Sequence, residues 1–128
     1  MTMVARAAAA AAQPLKFPRE RRLRTPADFK RVYAQGRRIS NEFFTANTQP
    51  NQLPLPRLGM SVAVRTMGGA VERNRLRRMI RESFRLHQTL VLPLDIVVGV
   101  RSTARAAPSA ELRAGLEQLW RQLGRTPT

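Results

Sequence analysis

The chain has 128 residues, with 23 Lys+Arg against 8 Asp+Glu and a formal net charge of +15. That length holds one domain with one small core, and a 43% hydrophobic fraction suffices to build it. The absence of cysteine excludes a disulfide framework and thiolate metal sites, no apolar run is long enough to span a bilayer, and so cationic a surface calls for a polyanionic partner.

Residues 1–13, rich in Ala with Arg6 and no acid, read as a low-complexity extension that lacks the pattern of a secretory peptide. The expected domain spans 14–124, with 125–128 as a tail and a cytoplasmic setting. Thr25-Pro26-Ala27-Asp28 reads as a helix start, with Thr25 as N-cap, Pro26 in the first turn and Asp28 three residues on. Phe29, Val32 and Tyr33 follow at i, i+3, i+4 on one face, and Gly36 reads as a left-handed stop. Paired aromatics of this kind are either core anchors or a stacking surface for unpaired bases. Ile39 to Asn47 reads as one strand through Phe43 and Phe44, and three prolines between Gln49 and Pro56 mark a loop. Leu58 to Val64 alternates as a strand, and Gly68-Gly69 turns the chain into the next helix.

That helix, from Ala70 to Leu86, organises the rest of the chain. At about 100° per residue, Leu76, Met79, Ile80, Ser83, Phe84 and Leu86 share one arc. Asn74, Arg77, Arg78, Arg81 and Arg85 fall opposite, with Glu82 at the edge of that face. Like charges at i, i+4 repel by roughly 0.2–0.5 kcal/mol per pair, so the arrangement makes sense only with a polyanion to meet it. Arg rather than Lys suits phosphate, because its planar fork binds in a bidentate way and stacks on bases. After Pro93, Asp95-Ile96-Val97-Val98-Gly99-Val100 reads as a strand buried on both faces. A loop from Arg101 to Ala107 precedes the last helix, for which Ser109 reads as N-cap and Leu112, Leu116, Leu119, Trp120 and Leu123 as the core stripe, stopped at Gly124.

The run Ala70-Val71-Glu72-Arg73-Asn74-Arg75-Leu76-Arg77-Arg78-Met79-Ile80-Arg81-Glu82-Ser83-Phe84-Arg85 closely resembles the signature of the protein subunit of bacterial ribonuclease P. The resemblance extends from Phe17-Pro18-Arg19-Glu20 through Thr25 to Phe29, Arg57 to Val62 and Asp95 to Val98, as far as Leu116 to Trp120. It implies a small single-domain α+β sandwich, a mixed sheet with helices in the order αβββαβα. It also implies a left-handed βαβ crossover around the arginine helix, as in domain 2 of ribosomal protein S5. The family's role would be to bind the catalytic RNA of ribonuclease P and hold the 5′ leader of precursor tRNA. The RNA subunit would hydrolyse the phosphodiester bond with Mg²⁺, and neither a metal site on the protein, nor a membrane, nor an obligate protein partner is expected. By position, Arg73, Asn74, Arg75, Arg77, Arg78, Arg81 and Arg85 match the RNA-docking signature, with Arg22 and Arg65 as further basic contacts. Phe29, Tyr33 and Phe44 match the leader-binding cleft. Two positions depart from the family pattern: Val64 stands where many members carry the first of two basic residues, and Asn47 where some carry an aromatic.

No catalytic residue is expected on this chain. His87 is its single histidine and reads as structural, the eight carboxylates are scattered, and no P-loop or Ser/His/Asp spacing is present. Basic charge alone would also suit a ribosome-type structural protein, or a DNA-binding module with its helix in the major groove. The latter would present a few spaced base-reading side chains rather than an arginine-saturated face.

Overall fold

The structure is a computed structural model that describes residues 22–23, 25–63 and 68–124. The main elements are helix α1 (Pro26–Gln35), strands β1 (Arg37–Ser40), β2 (Phe44–Pro50) and β3 (Arg57–Ser61), helix α2 (Ala70–His87), strand β4 (Leu94–Val100) and helix α3 (Ser109–Leu123). Short 3₁₀ turns at Gln88–Leu90 and Ser102–Ala106 flank β4. The expected αβββαβα order is the observed one.

α1 starts where its capping box predicts. Asp28 N–H donates to Thr25 Oγ1 (3.1 Å), and Thr25 N–H reaches back to Asp28 Oδ2 (3.4 Å). Its end differs from expectation, because Gly36 is extended (φ −87°) rather than left-handed. Glycine is needed there for space: a Cβ would stand 2.2 Å from the Thr48 carbonyl oxygen. The left-handed glycine is Gly68, at φ +76° before α2.

The stretch read as one strand from Ile39 to Asn47 is a hairpin. Asn41 Oδ1 accepts from the N–H groups of Phe43 (3.1 Å) and Phe44 (3.0 Å), which folds the chain over between β1 and β2. Asn41 Nδ2 also donates to the Gly115 carbonyl of α3 (2.9 Å), fixing the turn to the core.

The sheet runs β1-β2-β4-β3, with β1/β2 and β2/β4 antiparallel and β3/β4 parallel. α2 is therefore the crossover of a parallel βαβ unit. β4 is central and, from Asp95 to Val98, covered on both faces, as its apolar run requires. Ile96 and Val98 join the large core beneath α2 and α3, with Leu58, Leu76, Ile80, Phe84, Leu116 and Leu119. Val97 faces the other way, into a small cluster with Leu23 and Val32 under α1, against which Phe29 packs.

Trp120 sits in the larger core, its ring edge-on to Phe84 (5.5 Å, 68°) and its indole N–H donating to Ser83 Oγ of α2 (2.8 Å). Ser109 is not an N-cap. Pro108 holds that position, and the Ser109 hydroxyl accepts from Arg75 Nη2 instead (2.5 Å).

Candidate RNA-binding surface

Cross-strand partners share a sheet face, so the register defines what lies under α1. One row is Gln49, Asp95 and Arg57; the next is Arg38, Asn47, Val97 and Gly59; the third is Ser40, Thr45, Gly99 and Ser61. α1 covers the first two. Arg31 ties it down by donating to Asp95 Oδ2 (2.7 Å) and Gln49 Oε1 (3.2 Å). Phe29 leans on Gly59, where a Cβ would come within 2.7 Å of the ring. The third row, of small and polar residues, stays open to solvent as a trough beside the helix. Tyr33 lies one turn on from Phe29 on the same flank of α1 and is 50% exposed.

Asp95 anchors this arrangement from below. It is buried, and its carboxylate also accepts from Arg57 Nε (2.7 Å) and Nη2 (2.6 Å) and from Asn51 Nδ2 (3.1 Å). Burial pushes its pKa up, but the hydrogen bonds from Arg57, Asn51 and Arg31, with the charge of Arg57, outweigh this and hold it below the usual carboxylate range. The same bond raises the pKa of Arg57.

α2 buries Leu76, Ile80, Ser83 and Phe84, as its periodicity predicts. Leu86 departs from that arc and is 51% exposed. The arginines divide between the two flanks of the helix. On one, Arg77 and Arg81 join Arg22, Phe29, Gly59 and Met60 around a shallow pocket of about 190 Å³. On the other, Arg75 and Arg78 line a groove shared with α3. Two of the arginines are matched by acids within the helix: Arg75 pairs with Glu72 (3.1 Å) and Arg85 with Glu82. The Arg85 hydrogen bond holds the Glu82 carboxyl below its ordinary range. Among the described residues, Arg73, Arg77, Arg78 and Arg81 form no ion pair, although Arg77 Nη1 donates to Asn74 Oδ1 (3.3 Å). Arg73 is half-buried, and its Nε has no hydrogen-bond partner.

Phe44 does not line the trough: it is fully buried on the opposite sheet face, packed towards Gly115 of α3. Strand alternation gives the trough face to its neighbours Thr45 and Asn47. Arg65, with Val64, lies outside the described residues. His87 is half-buried, with Nδ1 2.7 Å from the Ser83 carbonyl.

Sequence reasoning missed the Arg31–Asp95–Arg57–Asn51 network, though a lone acid heading an apolar strand was its signal. It also missed Arg113, which stands on the α3 side of the groove. The i, i+4, i+8 spacing of Ser109, Arg113 and Glu117 marks that flank of α3. Among the described residues no three His, Asp or Glu side chains come together as a metal site, and no helix is long and apolar enough to cross a membrane.

Residues 17–124 match the family model described as Ribonuclease P. The chain belongs to the ribonuclease P protein family. A ribonuclease P protein component from Photorhabdus laumondii is 43% identical over 108 residues, covering 84% of this chain and 91% of the relative. The solved ribonuclease P protein of Staphylococcus aureus superposes with a TM-score of 0.72 at 35% identity, covering 77% of this chain and 90% of that one. That of Thermotoga maritima gives 0.71 at 31% identity, covering 79% and 96%. Membership in the ribonuclease P protein family makes this an RNA-binding component of a tRNA-processing endoribonuclease holoenzyme.

Proposed function

We propose that this protein binds the catalytic RNA of ribonuclease P through the arginines of α2 and holds the 5′ leader of precursor tRNA in the trough beside α1. The RNA subunit, with its Mg²⁺, then cuts the phosphodiester bond in the cytoplasm. The observation that carries this reading is the shared pocket at the edge of β3, where Arg77 and Arg81 of α2 meet Phe29 of α1. An RNA chain in the trough passes directly onto the basic helix, and the two binding functions become neighbours.

The trough suits a single strand. Its floor of Ser40, Thr45, Gly99 and Ser61 presents little bulk, so a backbone can lie close, while Phe29 and Tyr33 offer rings on which bases can stack. Guanidinium groups along α2 neutralise phosphates and displace their condensed counterions. Bringing two polyanions together is what a metal-dependent RNA otherwise needs high Mg²⁺ to achieve. Among the described residues no three His, Asp or Glu side chains cluster to hold a catalytic metal, and the chain's contribution is to bind and position RNA.

The test is cleavage of a precursor tRNA by bacterial ribonuclease P RNA at low Mg²⁺, with and without the protein. Correct 5′ cleavage restored by the protein, with none by the protein alone, is the expected result. No rescue across several RNA partners would overturn the reading.

A further inference from the structure

The groove between α2 and α3 is not part of the leader trough. It lies on the other side of the sheet, has a volume of about 300 Å³, and is floored by Met79 and Leu86 with Arg78 and Arg113 among its walls. That volume is at the low end for pockets that seat one small ligand. Leu86 is 51% exposed on a helix whose outer surface is otherwise mostly charged, so the core does not use it.

The groove's other charged groups are already occupied. Arg75 closes one end and is held by Glu72 (3.1 Å) and by the Ser109 hydroxyl (2.5 Å). Glu82 is paired with Arg85, and Glu117 lies 3.8 Å from the His87 ring. Arg78 and Arg113 form no ion pair among the described residues. What remains open is an apolar floor between two free guanidinium groups. A nucleotide matches both parts: a base for the floor and the arginine planes, and a phosphate for their forks.

We propose that this groove seats an unpaired nucleotide of the catalytic RNA, its base against Met79 and Leu86 and its phosphate on Arg78 and Arg113. The proposal rests on reading the chain as the RNA-binding subunit, and it adds α3 to the docking surface. The source is the catalytic RNA rather than the leader. A strand lying beside α1 would have to wrap around the edge of the sheet to reach this side.

The experiment measures equilibrium binding of ribonuclease P RNA to the full-length protein across a salt series. It uses R113A and L86S, with R121A on the exposed side of α3 as control. R113A should weaken binding and lower the slope of log affinity against log salt by about 0.7, the share of one phosphate contact. L86S should weaken binding about fivefold with the slope unchanged, since a lost base contact carries no counterions. Binding by R113A equal to that by R121A would overturn the proposal, and so would a silent L86S, which would leave only a charged rim. If the unsubstituted protein fails to bind the RNA, the underlying reading falls too; if it binds and only these variants are silent, this proposal alone falls.

Discussion

Asp95 sets the position of α1, because its buried carboxylate is where the helix, the sheet and the proline-rich loop meet. Replacing it with Asn keeps the shape but leaves Arg57 without its carboxylate partner and Arg31 with only the longer contact to Asp28 (3.6 Å). D95N should therefore lose about 3–5 kcal/mol of stability, measurable by denaturant unfolding. The folded-state pKa of Asp95 lies below its unfolded value of about 3.9. Its contribution is thus complete above that value and is lost as pH falls through the folded pKa. Melting temperature should drop on acidification through the carboxylate range in the parent protein and less steeply in D95N. Tyr33 makes the opposite case. Half-exposed, it contributes little to folding, so Y33A should shift stability by less than about 0.5 kcal/mol. The same change should weaken binding of leader-bearing precursor tRNA by about 1–3 kcal/mol and leave mature tRNA unaffected. Equal losses for the two substrates would show that the ring only packs.

At the scale of the element, α2 presents different chemistry on its two flanks. Removing Arg77 and Arg81 together should flatten the salt dependence of RNA binding by about 0.7–0.9 per lost phosphate contact, read from the log–log slope of holoenzyme assembly. α2 was legible in the sequence because helical periodicity is local, and so was the start of α1, whose capping box spans four residues. The hairpin at Asn41 was not, because a side-chain oxygen accepting two backbone N–H groups overrides the extended preference of its neighbours. The misplacement of Phe44 has the same root. Which face of a strand meets the trough depends on its register with β4, and that pairing joins residues about fifty positions apart. Asp95 and Arg57 are likewise 38 positions apart, and no local pattern pairs them. Arg113 escaped notice because a groove between helices belongs to neither helix alone.

For the molecule as a whole, the sheet separates the two proposed binding regions. The trough lies on the α1 side and the α2–α3 groove on the other, with the arginines of α2 reaching both. Substitutions in the two regions should act independently. The effects of Y33A and R113A on cleavage at subsaturating substrate should add within about 0.5 kcal/mol. Arg81→Ala and Phe29→Ala share a pocket and should deviate from additivity, as a double-mutant cycle would report. The resemblance gave the αβββαβα order correctly, whereas the local patterns merged β1 and β2 into one strand and so read one strand too few. The sidedness emerged only once the register and the packing of α1 were known.

The contact between Trp120 and Ser83 also gives the molecule a built-in optical probe. Trp120 is the chain's single tryptophan, it is fully buried, and its indole N–H ends on the inner face of the arginine helix. Intrinsic emission therefore reports whether that helix is seated, with no label attached. A red shift would mean that α2 has lifted from α3 and wetted the ring. An unshifted spectrum on adding RNA would mean that the partner docks on a helix already in place. Variants such as Arg77→Ala, whose side chain lies outside the core, should leave the emission unchanged, which separates lost contacts from lost structure in one cuvette.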